Sequence, residues 1–254
     1  MSVNQQRFDA VCARAREAMI LHSTADTLEW DERTGLPIAA GEYRAQQVST
    51  LRALVHQRRT DPVYGEDLLS LVQECGDEDP HGPIAATIRE LHRDWQHDCK
   101  LPTQLVERMS QATVRGQQTW DAARKADDFS MFQKTLEHVI DLKREAGERL
   151  SEGTDRSVYE ALLDEYEPDA RVEDIQQVFD NLREPLVQLI AAAKDAPKQP
   201  DISILERTYC MENQRDFSHF VAEQTGFDFD RGRLDETSHP FCTTLGPNDC
   251  RILT

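Results

Sequence analysis

The chain has 254 residues, of which 39% are hydrophobic and 30% are charged, a composition typical of a folded protein with a buried core. Its 47 acidic and 29 basic residues give a formal charge of −18, which argues against nucleic acid as a partner because phosphates are repelled. No window approaches the roughly 20 apolar residues of a membrane span, and the first residues lack a secretion-signal layout. These features predict a protein of the cytoplasm with no membrane segment.

Apolar residues recur at helical spacing through most of the chain, beginning with a stripe formed by Phe8, Val11, Cys12, Ala15, Ala18 and Met19. Similar stripes predict further helices over 45–55, 84–95, 105–120, 129–140 and 175–190. A last long helix is expected over 202–224, ending before Gly226. The breaks between stripes contain Gly or Pro and are short, at 34–37, 76–80, 153–154 and 196–200. The pattern predicts a mainly α protein in which residues 1–226 form one helical domain.

The C-terminal end has a different character. Residues 227–254 contain several Gly and Pro breaks, and strand formers cluster at 242–245 and 250–253. We therefore expect a small segment rich in strands and turns over 227–254. Such a segment cannot close a core of its own, so more chain is expected to follow it.

Two local signals concern helix ends and thiols. Ser157 and Glu160 have the spacing of a capping box, and Pro185 predicts a kink in its helix. The six cysteines contain no C-x-x-C pair, so neither a zinc ribbon nor a thioredoxin-like motif is supported. We expect reduced, mostly buried thiols.

The chain contains no H-E-x-x-H motif, but two helical trios of potential metal ligands deserve consideration. They are Glu90, Asp94 and His97, and Asp216, His219 and Glu223. With 47 acidic and 29 basic residues in the chain, such trios also arise by chance on solvated helix faces, which is the favoured interpretation. The acidic run over 164–167 is similarly interpreted as a charged helix end.

Three residues near the C-terminus are the candidates for recognition chemistry. His239 precedes Pro240, which favours an extended backbone and a ring that projects from a loop or strand. An imidazole in that position can donate a hydrogen bond to a carbonyl or an oxyanion. Asp249 precedes Arg251 by two positions and can orient its guanidinium for bidentate carboxylate binding. On spacing alone, the favoured interpretation is a loop histidine and a surface ion pair, and recognition chemistry is the alternative. Trp30 is interpreted as a residue that caps the core.

An ordered set of segments runs through the chain: Leu28-Glu29-Trp30-Asp31 with Pro37, Arg44-Ala45-Gln46-Gln47, Arg93-Asp94-Trp95 with Leu101-Pro102, Ala126-Asp127-Asp128-Phe129, the stretch 159–168, the stretch 226–235, and His239-Pro240-Phe241. In these segments, nearly the whole chain resembles the carboxypeptidase Taq family of thermostable metallocarboxypeptidases. No single segment is specific, but their order along the chain is.

The resemblance implies a mainly helical, usually homodimeric, cytosolic enzyme that removes C-terminal residues from peptides. Members use one divalent ion, typically zinc or cobalt, held by an H-E-x-x-H helix and a later glutamate. Such an ion polarises the scissile carbonyl and activates a water, while the motif glutamate accepts the proton. His239 matches the family's His-Pro-Phe signature, and Asp249 and Arg251 match part of its Asp-x-Arg-x-Thr signature. The resemblance makes these three residues substrate-pocket candidates.

The sequence departs from the family pattern in two ways. Leu253 occupies the threonine position of the last signature, with Thr254 beside it. The H-E-x-x-H motif is missing from 1–254, so we expect no catalytic residue and no metal ligand within this span. We expect both to lie beyond Thr254. The expected function is the N-terminal part of a metallocarboxypeptidase, inactive alone. The alternative is a non-catalytic helical interaction protein related to that family, associating through apolar helix faces that lack partners.

Overall fold

The structure is a computed structural model that describes residues 3–254, apart from the side chain of Asp77. Over this range it is mainly helical, as the apolar periodicity predicts. The α-helices are α1 (Gln5–Thr34), α2 (Gly41–Arg59), α3 (Pro62–Glu74), α4 (Pro83–Lys100), α5 (Thr103–Ala126), α6 (Ser130–Ser151), α7 (Val158–Leu163), α8 (Val172–Lys194) and α9 (Met211–Gln224). None of these described helices has the length and apolar content that a bilayer crossing requires.

Contacts group the chain into two compact units. The first combines residues 1–152 with 231–254, and the second comprises 153–230. In the first unit, three clusters of buried side chains form the core. Val11, Tyr64, Leu68, Leu71 and Ile88 join α1, α3 and α4. A second cluster lies between α5 and α6 and contains Leu105, Ala112, Leu142 and Ala146. A third lies between α2 and α5 and contains Ala45, Val48 and Val114.

A three-stranded sheet completes the first unit. Its strands are β1 (Gly232–Asp235), β2 (Phe241–Gly246) and β3 (Asp249–Leu253), in the order β1-β3-β2. The central strand β3 pairs parallel to β1 and antiparallel to β2, with an irregularity in the β2–β3 register between Thr244 and Gly246. The two C-terminal strands lie where strand formers predict them, whereas β1 was not anticipated.

In the second unit, α7 begins with the capping box that the sequence predicts. The Glu160 amide donates to Ser157 Oγ at 3.2 Å, and the Ser157 amide donates to Glu160 Oε2 at 3.0 Å. Arg156 pairs with Asp164 and Asp169, so part of the acidic run at 164–167 is neutralised locally. Helix α8 continues through Pro185 as a single element and contains no buried residue.

The expectation of a continuous helix over 202–224 is wrong at its N-terminal end. The structure has a short 3₁₀ turn at Ser203–Glu206, and α9 begins only at Met211. Local side-chain hydrogen bonds explain the break, because they satisfy backbone groups that a helix would otherwise use. Asp201 Oδ1 accepts from the Ser203 amide at 2.9 Å, and Tyr209 Oη donates to the Ile204 carbonyl at 2.7 Å.

The expectation of mostly buried cysteines is also wrong. All six thiols are free; Cys99, Cys210 and Cys242 are exposed, and Cys12, Cys75 and Cys250 are half-buried. Cys210 directly precedes α9, and Cys242 lies on the exposed face of the sheet. The apolar character of cysteine does not show whether a given residue lies at such a position or in the core.

We predict that Gly65→Ala destabilises the protein. A Cβ at Gly65 would lie 2.4 Å from Cζ2 of Trp95, and this half-buried, rigid ring packed against the core cannot move away as a flexible chain does. The expected loss is about 1–3 kcal/mol in the free energy of unfolding. Gly116→Ala is the matched control: its Cβ would meet Thr135 Cγ2 at 3.7 Å, so helix propensity should raise stability by about 0.5–1 kcal/mol. Denaturant unfolding measures both, and equal effects would refute the packing argument.

Candidate functional site

The candidate site lies where the C-terminal sheet meets the end of α1, entirely within the first unit. Thr237 Oγ1 donates to the Arg33 carbonyl at 3.0 Å, and the Arg33 guanidinium lies 4.8 Å from the centroid of the Phe241 ring. The Thr237 amide also donates to the Thr254 carbonyl at 2.9 Å. These contacts fix the loop 236–240 to both the helix end and the sheet.

Arg251 is held in a fixed orientation on the central strand. Its Nε and NH2 groups donate to Asp249 Oδ1 and Oδ2 at 2.9 and 2.8 Å, a bidentate pair of the kind the spacing suggested. The guanidinium carbon lies 4.1 Å from the centroid of the Trp30 ring. The hydrogen bond from Arg251 lowers the pKa of the Asp249 carboxyl below its ordinary value. Two contacts therefore restrict the guanidinium: the Asp249 carboxylate binds its edge, and the Trp30 indole packs against its face.

Trp30 serves a second arginine as well. The Arg233 guanidinium, at the register position opposite Arg251 on β1, lies 5.4 Å from the Trp30 centroid and donates to Asp235 Oδ1 at 2.5 Å. Trp30 Nε1 is buried and has no hydrogen-bond partner among the described residues. The indole is therefore a platform for two cations and does more than cap the core.

Ion pairs between α1 and α2 position Trp30. Arg44 NH1 lies 2.7 Å from Asp31 Oδ2 and donates to the Leu28 carbonyl at 2.7 Å. Arg52 NH2 lies 2.8 Å from Glu29 Oε1 and 2.6 Å from Asp26 Oδ1. The carboxylates on either side of Trp30 thus bind α2, whereas the turn after α1 is closed by the Asp31 backbone carbonyl, which accepts from the Gly35 amide at 2.9 Å.

His239 is exposed and lies in the loop before β2, as the following proline predicts. Its ring meets the Trp120 ring edge-on, with centroids 5.6 Å apart and planes at 75°. The structure thus brings Asp249 and Arg251 into direct contact, whereas the His239 ring contacts Trp120 of α5. Nothing in the local sequence pattern marks Trp120 as its neighbour.

A cavity of about 380 Å³ opens beside this loop. Its lining comes from the end of α1, from α5 and from the loop before β2, and includes Glu32, Arg33, Gln118, Asp121, Lys125 and Thr237. Burial raises the pKa of the Glu32 carboxyl, and a hydrogen bond with Gln118 offsets part of that effect. The cavity has both polar and apolar lining and carries charges of both signs, so it can accept a chain with polar and apolar groups.

The described residues form no metal centre. No group of three or more His, Cys, Asp or Glu side chains among them is arranged to hold an ion. Neither helical trio considered from the sequence is therefore a ligand set. In the second unit the His219 ring stacks on Phe229, with centroids 4.8 Å apart and planes at 25°. We derive no reaction step through a metal from these residues.

We predict that Glu32→Gln changes the pH dependence of stability. Because the folded-state pKa of Glu32 is raised, native Glu32 costs stability as pH rises from the unfolded pKa through the folded one. The Gln variant lacks this loss, so its melting temperature relative to the native chain should increase over that window.

Glu42→Gln is the control of opposite sign. A hydrogen bond from Arg115 lowers the pKa of Glu42, so native Glu42 adds stability above its unfolded pKa and loses it as pH falls through the folded pKa. The Gln variant should therefore melt below the native chain at neutral pH and approach it in acid. Thermal unfolding from pH 3 to 8 measures both, and parallel curves for Glu32→Gln and the native chain would contradict the assignment.

Comparisons with known proteins agree with this architecture. The family model described as carboxypeptidase Taq (M32) metallopeptidase matches residues 10–254. Thermostable carboxypeptidase 1 of Thermus thermophilus is 35% identical over 246 residues, which are 94% of this chain and 48% of that protein. Carboxypeptidase 1 of Bacillus subtilis is 29% identical over 227 residues, 89% of this chain and 44% of that protein.

Solved structures give the same result. The crystal structure of BsuCP superposes with a TM-score of 0.89 at 26% identity, covering 98% of this chain and 50% of that one. The M32 carboxypeptidase of Deinococcus radiodurans R1 gives 0.77 at 32% identity, covering 98% and 49%. The chain thus spans about half the length of the relatives it matches. With a family match over residues 10–254, it belongs to the carboxypeptidase Taq (M32) metallopeptidase family.

Proposed function

We propose that this chain is the N-terminal part of a metal-dependent carboxypeptidase that hydrolyses C-terminal residues from peptides, and that 1–254 alone is inactive. Family membership supports the reaction class. Within the chain, the observation that carries the proposal is the guanidinium of Arg251, fixed by Asp249 and by the Trp30 ring. A positive group held this way suits recognition of an anionic peptide end.

The electrostatics of the site favour this role for Arg251. The chain carries a formal charge of −18, so a peptide carboxylate approaches an unfavourable average field and needs a local cation. Asp249 accepts from two of the five guanidinium N–H groups of Arg251, which leaves three that this pair does not use. We propose that Arg251 organises the substrate pocket and that Asp249 positions it.

His239 is proposed as a second pocket residue. Its exposed ring lies in the loop 236–240, which also contributes to the cavity lining, and it contacts the Trp120 ring edge-on. An imidazole can donate a hydrogen bond to a peptide carbonyl or to the oxyanion that forms during hydrolysis. The buried indole N–H of Trp30 also supports a site here, because an unpaired buried donor costs about 1–3 kcal/mol and calls for an acceptor.

The finer features of the proposal come from the resemblance. We propose one divalent ion, zinc or cobalt, held by residues outside 1–254, because the described residues do not fit a metal site. When bound, such an ion polarises the scissile carbonyl and activates water. We also propose a homodimer in the cytoplasm, with residues 1–226 as a helical domain and 227–254 leading toward the metal-binding part.

One observation favours the alternative of a non-catalytic interaction protein. Helix α8 exposes an apolar stripe in which Phe179 is 57%, Leu189 65% and Ile190 58% accessible. An apolar face of that extent favours association with another chain. The same surface is equally compatible with a homodimeric enzyme, so the activity and sequencing test below distinguishes the two.

The role of Arg251 is tested by Arg251→Lys in the longest polypeptide that the coding sequence specifies. Lysine keeps the charge but loses the bidentate pair and the stacking, so kcat/KM for an N-blocked dipeptide should fall about 10- to 100-fold. Arg115→Lys is the matched control, because Arg115 also forms a bidentate pair, with Glu42 at 3.1 and 2.6 Å. Equal effects of the two variants on kcat/KM would refute the assignment.

The purified span 1–254 should hydrolyse no N-blocked dipeptide, with or without added zinc or cobalt, because its described residues contain no ligand set. The coding sequence past Thr254 should contain an in-frame H-E-x-x-H motif. Hydrolysis by the span that a chelator abolishes would contradict the proposal. A stop codon directly after Thr254, together with a concentration-dependent mass in light scattering, would instead support the interaction protein.

A further inference from the structure

Two cysteines form a close thiol pair on the sheet that carries Arg251. Cys242 lies on β2 and Cys250 on the central strand β3, and their Sγ atoms are 3.8 Å apart. In the strand register Cys242 is opposite Ile252 and Cys250 is opposite Thr244, so the two cysteines are diagonal neighbours on one face. Both thiols are free.

We propose that Cys242 and Cys250 are a reversible oxidation site, at which a peroxide closes a disulfide bond between them. With hydrogen peroxide, one thiolate attacks an oxygen and becomes a sulfenic acid, and one water is released. The second sulfur then displaces the hydroxyl as another water. The two thiols lose two protons and two electrons, and the peroxide is reduced to two waters.

The geometry allows this bond but makes it strained. The sulfurs have to approach from 3.8 Å to about 2 Å, mostly by side-chain rotation. Diagonal positions are farther apart than directly opposed ones, so the strands also have to move. The register irregularity between Thr244 and Gly246 lies between the two cysteines and supplies a segment able to adjust. Strained and exposed disulfides are readily reduced, which is the property of a regulatory bond.

The exposure of Cys242 agrees with a switch that responds to oxidant, whereas the raised pKa of its thiol slows the reaction at neutral pH. Cys242 is exposed, so a small oxidant reaches it directly. Burial, followed by the hydrogen bond with Cys250, raises the pKa of the Cys242 thiol. Because the thiolate is the reacting form, oxidation should accelerate by up to about tenfold per pH unit on the alkaline side of neutrality.

Formation of the Cys242–Cys250 bond would affect Arg251, because Arg251 directly follows Cys250 in β3. Cys250 lies between Asp249 and Arg251 in β3, and alternate residues of a strand face opposite sides of the sheet. Pulling Cys250 toward β2 shifts the strand beneath Arg251 and disturbs its seat on Trp30. The oxidation site itself does not depend on the proposed function, since it stands on the two sulfurs alone.

Trypsin provides a clean test with the chain 1–254. Cleavage after Arg233 and Arg251 releases one peptide, 234–251, that contains both cysteines. After mild peroxide treatment and alkylation, this peptide should lack two hydrogens and take up no alkyl group. Dithiothreitol should restore two alkylation sites. Cys99→Ser, at an exposed thiol elsewhere, should behave as the native chain, whereas Cys242→Ser and Cys250→Ser should each abolish the loss of two hydrogens.

Other products would overturn the proposal. These are a peptide 234–251 that still takes up two alkyl groups, one that carries added oxygen or a mixed disulfide on a single cysteine, or a cross-link between chains. The native chain alone gives this answer, so it does not depend on whether a variant folds. The effect on Arg251 is read from tryptophan emission, which should change on oxidation in the native chain and much less in Trp30→Phe. An unchanged emission on closure would refute the strand shift.

Discussion

The contact of Arg251 with Trp30 is the interaction on which the candidate site depends. It joins the central strand of the sheet to the end of α1, and the carboxylate of Asp249 fixes the guanidinium in the plane that this contact requires. Without the indole, the guanidinium of Arg251 would lose the aromatic surface against which it packs. Without Asp249, the cation would lose its bidentate partner and much of its orientation.

The same contact gives a physical reason for the charged segments around it. Glu29 and Asp31 flank Trp30, and they bind Arg52 and Arg44 of α2 rather than a ligand. These pairs fix α1 against α2 and thereby restrict the segment that carries the indole. The run of carboxylates around Trp30 is therefore structural, as the sequence interpretation favoured.

Sequence patterns predicted the helical class, the capping box at Ser157 and the two C-terminal strands, because each depends on local periodicity or on neighbours in the chain. They did not predict the partnership of Trp30 with Arg251 or of His239 with Trp120, because those contacts join segments far apart in the chain. Strand β1 was missed because its alternation extends over only four residues, and the helix over 202–224 failed because side-chain hydrogen bonds compete with helical ones. The pairing of Asp249 with Arg251 was accessible because their spacing puts both on one face of a strand.

The first unit is discontinuous, since residues 153–230 separate its helices from its sheet. Thr237 and Arg33, which fix the loop to the helix end, are 204 positions apart. During synthesis on the ribosome, α1 and α2 therefore emerge long before β3 is made. Until then, Trp30 has no contact with Arg251. The contact between Trp30 and Arg251 therefore forms late, because it needs the last-synthesised residues of this span.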